Sequence, residues 1–176
     1  LPIPSGKIYM QTISEDVSDI WISCSGWTQN RKRYKYDIKT DNLKPEDFRE
    51  QPDYPEYKDI VVEEIEIKTH DGLDLPLTII HKKGLDKNGK NRVIMDGYGA
   101  YGSSNDAYFN PYSLLWVLDG GILVHTHVRG GGEKGDAWHK GGFKKTKPNT
   151  WRDFISSAEF LIKEKYTSPE YLGVEG

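Results

Sequence analysis

The 176-residue chain is poor in cysteine, in apolar residues and in long apolar runs. Its single cysteine, Cys24, excludes an internal disulfide framework and fits a reducing compartment. No stretch approaches the roughly 20 apolar residues of a membrane span, and no signal-peptide pattern follows Leu1. Hydrophobic residues make up 36% of the chain and its mean hydropathy is −0.70. We therefore expect part of the surface to be covered by something else.

The chain has no large excess of charge of either sign. Its formal net charge is −3 and its isoelectric point is about 6.0, which argues against nucleic acid or an anionic membrane as partner. Because the sequence does not begin with methionine, we expect a piece of a longer protein. The expected compartment is the cytoplasm, with the periplasm as the alternative that the missing start leaves open.

Residues 1–57 carry the pattern of short antiparallel strands. Alternating apolar residues, bounded by Gly, Asn and Asp, predict strands over 7–13, 19–25 and 33–38. Cys24 lies within the second of these, so we interpret it as a packed strand residue. Two or three such strands cannot bury a core unaided. Prolines 45, 52 and 55, among many charged residues, then predict a linker.

From about residue 58 the pattern changes to strands that alternate with helices. A strand over 59–69, a turn at 70–72 and a strand over 75–81 predict a hairpin. Further strands are predicted over 92–96, over 121–128 and from 171, with helices over 111–118 and from a cap at Asn149 or Thr150. This order predicts an α/β fold with a mainly parallel sheet flanked by helices and right-handed crossovers.

Two glycine-rich loops follow predicted strands. The first, residues 97–102, reads Gly-Tyr-Gly-Ala-Tyr-Gly, and the second begins Arg-Gly-Gly-Gly-Glu at Arg129. Consecutive glycines indicate unusual backbone dihedrals or close contact with other groups. Because the carboxyl ends of parallel strands meet at one edge of a sheet, we expect Tyr98, Arg129 and Gly176 to converge there.

Several motifs together resemble the prolyl oligopeptidase family of serine peptidases. They are the Gly-Tyr loop at 97–102, the strand into Arg-Gly-Gly-Gly-Glu at 129–133, Trp-His-Lys-Gly-Gly at 138–142, and the helix over 154–164 followed by Tyr-Thr-Ser-Pro at 166–169. The resemblance runs in order from about Asp59 to Gly176. Residues 1–57 resemble, more loosely, the closing strands of that family's β-propeller.

The resemblance implies two domains and a peptidase activity. Residues 1–57 would be the end of a β-propeller and linker, and residues 58–176 the first half of an α/β-hydrolase domain. Gly176 matches the first glycine of the Gly-Gly-Ser-x-Gly-Gly elbow that carries the nucleophile, so this chain lacks the catalytic Ser, Asp and His. No Gly-x-Ser-x-Gly occurs in it. We expect the chain alone to be inactive, and the parent to cleave short peptides, after proline, by acyl transfer.

The resemblance assigns one catalytic residue to this chain. Tyr98 matches the family tyrosine whose hydroxyl binds the developing oxyanion, although a tyrosine in such a loop can also simply pack over backbone. Tyr101 matches an aromatic residue that lines the proline-accepting pocket. Implied partners are a peptide substrate and the remainder of the hydrolase domain and propeller, with no nucleic acid and no membrane.

Other polar residues have structural as well as functional interpretations. Arg129 and Glu133 could bind substrate, but a charged pair that fixes the glycine loop is the favoured reading. His125, His127 and His139 could form a zinc site, yet no ligand spacing supports it, and we expect no metal or other cofactor. A catalytic His139 is disfavoured because the triad histidine of α/β-hydrolases follows the serine.

Two further functions stay open at this level. An oligopeptidase B-like or acylaminoacyl peptidase-like hydrolase would use the same domain with a different substrate pocket. A non-catalytic binding module with a degenerate hydrolase fold would need no serine at all. Substrate assays on the whole protein would separate the related hydrolases, and the sequence that follows Gly176 in the parent reading frame would separate an enzyme from a binding module.

Overall fold

The computed structural model describes residues 6–12, 14–15, 18–46, 52 and 54–176. Of the predicted strand over 7–13, residue 13 lies outside the described residues and the strand itself ends at Gln11. Residues 47–51 and 53 of the predicted proline linker also lie outside them, and its described end forms a 3-10 helix, Pro55–Asp59. The chain divides into two compact units. The first unit contains the described residues of Leu1–Lys58 together with Asp106–Pro111, and the second contains Asp59–Asn105 and Tyr112–Gly176.

The first unit contains a four-stranded antiparallel sheet in which consecutive strands are neighbours. The predicted antiparallel arrangement is thus confirmed, with one strand more than the pattern indicated. Ile22, Cys24 and Tyr34 form its buried cluster. The additional strand, β4 (Asn42–Pro45), is short and lies at the edge of the sheet, where a proline at its end is tolerated. Its strands are β1 (Lys7–Gln11), β2 (Asp19–Ser25), β3 (Lys32–Asp37) and β4 (Asn42–Pro45).

A short segment far along the chain belongs to this first unit. Asp106 forms a salt bridge of 2.5 Å with Lys7, and the ring of Tyr108 lies 6.3 Å from that of Trp27. A division of the chain at residue 57 alone does not describe this arrangement. The contacts responsible join residues 99 and 81 positions apart, which no local pattern records.

The second unit contains a five-stranded sheet of β5 (Ile60–Lys68), β6 (Asp74–Lys82), β7 (Val93–Gly97), β8 (Ile122–Thr126) and β9 (Leu172–Glu175). Their order in the sheet is β5-β6-β8-β7-β9. Strands β5 and β6 form the predicted hairpin, and β6 also runs antiparallel to β8. Strand β7 is parallel to both β8 and β9. The predicted α/β class is confirmed, but the sheet is mixed rather than mainly parallel, because the hairpin occupies two of its five positions.

Three α-helices accompany this sheet: α1 (Pro111–Leu118), α2 (Asp136–Gly141) and α3 (Pro148–Lys163). The prediction that Asn149 or Thr150 caps α3 is wrong, because the helix begins at Pro148, a residue suited to the first helical position. Helix α3 packs Leu161, Phe154 and Ala158 on the sheet core, while Trp151 and Ile155 are exposed. Among the residues described, no helix has both the length and the apolarity to cross a bilayer. The buried residues of this core are Ile67, Leu75, Leu77, Ile79, Val93, Met95, Ile122, Val124, Val128, Trp138, Leu161 and Tyr166.

Candidate functional site

The Gly-Tyr loop begins where β7 ends, at the edge formed by the carboxyl ends of the three parallel strands. Gly97 is in close contact with its neighbours, since a Cβ there would overlap the Thr126 hydroxyl and the Phe154 ring. The Thr126 hydroxyl also donates a hydrogen bond of 2.9 Å to the carbonyl of Asp96. Tyr98 therefore starts from a fixed backbone position next to α3.

A cavity of about 410 Å³ opens beside Tyr98. Its wall is mainly apolar, and it brings Tyr98 together with Gly176, which directly follows β9. Tyr98 is 54% exposed, so its side chain is available to a group that enters this space. The side chain of Lys147 donates a hydrogen bond of 2.6 Å to the carbonyl of Gly99 and so ties the loop to the start of α3. The remaining apolar lining comes from Val128, Trp151, Phe154, Ile155 and Val174.

Tyr101 has a different environment from Tyr98. It is 89% exposed and is absent from the lining of the Tyr98 cavity. Its φ angle is +56°, in the left-handed region that a residue with a large side chain seldom adopts. The backbone N–H of Gly102 donates to the carbonyl of Gly130 at 3.0 Å and helps to hold this conformation. Such a costly backbone geometry is often found at functional sites, which keeps Tyr101 a candidate.

Arg129 lies in a buried ion cluster. It is 4% exposed, and its guanidinium donates hydrogen bonds to Asp153 at 2.6 and 2.8 Å and to Asp71 at 2.7 and 3.1 Å. Hydrogen bonds from Arg129 and Thr69 lower the pKa of Asp71 to about 2. The guanidinium is thus engaged with protein carboxylates, and the charged pair expected with Glu133 is replaced by pairing with these two aspartates. The geometry favours a structural role for Arg129 over contact with substrate.

The histidines that could have formed a zinc site have separate partners. Nδ1 of His125 lies 3.2 Å from Asp96 Oδ2, and Nε2 of His127 lies 2.9 Å from the Thr78 hydroxyl. Nδ1 of His139 is 2.9 Å from the carbonyl oxygen of Gly130. The three rings do not meet in one metal-binding group among the described residues.

One group of potential metal ligands does occur in the described part of the chain: His70, Asp71 and Asp153. Its two carboxylates are the ones that Arg129 bridges, so an arginine already supplies the positive charge that a metal ion would bring. Sequence reasoning missed this cluster. Asp71 lies in the predicted turn at 70–72 and Asp153 in the predicted helix, and neither local position indicates a long-range pair.

Sequence reasoning also missed the hydrogen bonds of Asn105 and Lys147. Asn105 contacts both Asp96 and Glu133, and Lys147 contacts Gly99. No motif marks either residue, because an amide and an amine in polar loops are usually solvated. Their proximity to the Gly-Tyr loop follows from the packing of the two loops and α3.

Comparison with known proteins identifies the relatives of this chain. Residues 107–176 match the model of the prolyl oligopeptidase family. A prolyl endopeptidase of Elizabethkingia meningoseptica is 35% identical over 158 residues, which are 90% of this chain and 22% of that protein. A post-proline cleaving enzyme from Rickettsia typhi superposes with a TM-score of 0.88 at 31% identity, over 100% of this chain and 25% of that one.

An oligopeptidase B from Trypanosoma brucei, solved with covalently bound antipain, is equally similar. It has a TM-score of 0.89 and 31% identity over 100% of this chain and 25% of that chain. The chain thus spans about a quarter of the length of the relatives it matches. On the family match, residues 107–176 belong to the prolyl oligopeptidase family, and the chain as a whole is similar in sequence and fold to one part of proteins of that family.

Proposed function

We propose that the chain forms part of a serine peptidase that cleaves short peptides after proline, and that Tyr98 is one donor of its oxyanion hole. The observation that carries the proposal is the shared cavity of Tyr98 and Gly176 at the carboxyl edge of β7 and β9. In parallel α/β sheets, this edge is where chemistry occurs. The chain spans about a quarter of its relatives, and the nucleophilic serine, its acid and its histidine would lie on sequence beyond these 176 residues.

The proposed reaction is acyl transfer. The serine hydroxyl would attack the peptide carbonyl while the histidine takes its proton, and the carbonyl oxygen would gain negative charge. The Tyr98 phenol, exposed beside the cavity, is a neutral donor that can stabilise this charge without losing its own proton. A backbone N–H after the serine would be the second donor. Tyr101 is proposed to line the pocket that accepts proline. Arg129 is given no role in substrate binding, because its guanidinium is paired with Asp71 and Asp153.

The two structural units suggest the domain assignment. A four-stranded antiparallel sheet with consecutive strands side by side is the form of a propeller blade, and we assign residues 1–57 to the closing strands of a β-propeller and its linker. Residues 58–176 are assigned to the first half of a hydrolase domain. The remainder of both domains would be the partner of this chain. The single buried cysteine, Cys24, supports a cytoplasmic location.

The experiment that tests the proposal uses the protein encoded by the longer reading frame. Tyr98→Phe keeps the ring and deletes the hydroxyl, so kcat should fall by about 10- to 1000-fold while KM changes little. The pH profile should keep its shape because the histidine base is untouched. Tyr171→Phe, a half-exposed tyrosine before β9, is the matched control and should keep wild-type kcat. A Tyr98→Phe enzyme with normal kcat and a lower melting temperature would show a structural tyrosine instead.

A second candidate, an oligopeptidase B-like activity, is favoured by one observation. The oligopeptidase B from Trypanosoma brucei matches this chain as well as the post-proline cleaving enzyme does, at 31% identity in both cases. A paired panel of peptides that differ only in proline, arginine or lysine before the scissile bond would separate the two. Preferential cleavage after the basic residues would replace the proposed specificity and leave the acyl-transfer chemistry standing.

A further inference from the structure

The second glycine-rich loop lies directly against the Gly-Tyr loop. A Cβ at Gly130 would overlap the carbonyl oxygen of Gly99, and one at Gly132 would overlap the carbonyl oxygen of Gly102. Gly130 and Gly132 thus leave no room for a side chain, because the backbone of the loop that carries Tyr98 and Tyr101 lies there. This close approach explains why glycine occurs there, and it means that one loop can position the other.

Glu133, which follows the three glycines, makes the polar connection between these loops. Its Oε1 accepts a hydrogen bond of 2.9 Å from the backbone N–H of Asn105. The side-chain amide of Asn105 in turn donates a hydrogen bond of 2.8 Å to Oδ2 of Asp96 in β7. Asn105 is therefore held twice, once by the strand that precedes the Gly-Tyr loop and once by the glycine loop beside it. We call Glu133, Asn105 and Asp96 the loop clamp.

Two histidines from the same strand region face the carboxylates of the loop clamp. His125 Nδ1 lies 3.2 Å from Asp96, and hydrogen bonds with His125 and Asn105 lower the pKa of Asp96. His127 Nδ1 lies 3.7 Å from Glu133 Oε1. Nε2 of the same ring lies 2.9 Å from the Thr78 hydroxyl, a contact that orients the ring with Nδ1 toward Glu133. Each carboxylate thus has an imidazole beside it.

Two buried polar atoms in and beside the loop clamp lack a hydrogen-bond partner among the described residues. Glu133 Oε2 and His127 Nδ1 are buried and have no hydrogen-bond partner within the described part of the chain. A buried polar atom without a partner costs about 1–3 kcal/mol. An apolar residue at 133 would avoid the cost at Oε2 but could not accept the N–H of Asn105. The arrangement is therefore better explained by the contact with Asn105 than by a contribution of Glu133 to stability.

Asn105 also has a special place along the chain. It is the last residue of the second unit before the chain enters the first unit at Asp106, where Lys7 forms its salt bridge. The loop clamp therefore holds the chain that follows the Gly-Tyr loop at the last residue before the first unit begins. Between the end of β7 and Asn105, two further hydrogen bonds hold the loop to the second unit. They join the Lys147 side chain to the carbonyl of Gly99 and the N–H of Gly102 to the carbonyl of Gly130.

We propose that Glu133 and Asn105 are positioning residues that hold the loop carrying Tyr98 and Tyr101 on the second unit, independently of the segment 106–111. The effect of this positioning on catalysis rests on the proposed function of Tyr98, but the loop clamp itself can be tested without an activity assay. Glu133→Ala removes the acceptor of the Asn105 N–H. Glu133→Gln keeps a carbonyl acceptor in its place, and Asn105→Ala removes only the link to Asp96.

The first test is amide hydrogen exchange on the 176-residue chain. In Glu133→Ala, the amides of residues 102, 103 and 105 should exchange at least about 10-fold faster, while those of β7 and β8 keep their protection. Glu133→Gln should stay within about 3-fold of wild type, and Asn105→Ala should lie between the two. Lys7→Ala, which frees Asp106 in the first unit, is the matched control and should not affect these amides. Unchanged exchange in Glu133→Ala, or equal loss of protection in β7 and β8, would overturn the proposal.

The second test measures peptide hydrolysis by the protein from the longer reading frame. Because small displacements of a catalytic group cost about 100-fold in rate, Glu133→Ala should lower kcat by about 10- to 100-fold with KM within about 3-fold, and Glu133→Gln should recover most of it. Tyr98→Phe is run beside them. Impaired Tyr98→Phe with normal kcat in Glu133→Ala would overturn the positioning role alone. Normal kcat in Tyr98→Phe would remove the proposed role of Tyr98 and leave the exchange result to decide on the clamp.

Discussion

Replacement of Arg129 by leucine should strongly destabilise the second unit. The change keeps much of the aliphatic volume of the side chain but removes the guanidinium. Asp153 is fully buried, and the only donor that residue 129 would still offer it is the backbone N–H. Loss of one partner from a buried ion pair typically costs about 3–5 kcal/mol. Loss of the ion pair with Asp71 adds less to the cost in free energy, because that carboxylate is 39% exposed and solvent screens it. We therefore expect the free energy of unfolding to fall by about 4 kcal/mol.

Urea unfolding of the chain at neutral pH, followed by circular dichroism, measures this loss. With a slope near 2 kcal/mol per molar urea, the midpoint should fall by about 2 M. Arg92→Leu is the matched control, since Arg92 pairs with Asp119 at an exposed position and its loss should cost under about 1 kcal/mol. A loss below 1 kcal/mol in Arg129→Leu would refute the structural reading. A raised KM with normal unfolding would then support the alternative hypothesis that Arg129 binds substrate.

Three further outcomes are expected. The folded-state pKa of Asp71 is lowered from 3.8 to about 2, so its stabilisation is present above pH 3.8 and is lost as the pH falls toward 2. Acid unfolding of Arg129→Leu should lose most of this pH-dependent stabilisation, because the hydrogen bond from Arg129 is its largest cause and the one from Thr69 remains. Gly99→Ala should destabilise the chain more than Gly72→Ala in thermal melts, because both have positive φ but only Gly99 lies against Thr150 and Val128, and equal melting temperatures would contradict this. The purified chain should hydrolyse no proline-containing peptide, and turnover that tracks the protein through purification and disappears in Tyr98→Phe would show otherwise.

Local patterns predicted most of the strands and helices correctly. The strand over 19–25 and the helix over 111–118 coincide with β2 and α1, because side-chain periodicity and flanking turn residues act within a few positions. Helix α2 was missed, since its six residues follow four glycines and offer no apolar repeat. The exposed positions of Trp151 and Ile155 on α3 were also not predicted, because the periodicity shows an apolar stripe but not what covers it.

The sequence by itself determined the α/β class, the two glycine-rich loops after strands and the family that their motifs indicate. The tertiary structure decided which side chains in those loops meet. Arg129 pairs with Asp71 and Asp153, 58 and 24 positions away, and Glu133 holds Asn105, 28 positions away. Periodicity reports only neighbours within a turn or a strand, whereas these contacts depend on strand order and on how closely the glycine loops approach. The physical reason is that a buried charge needs a partner, but its own neighbourhood in the sequence does not say which one.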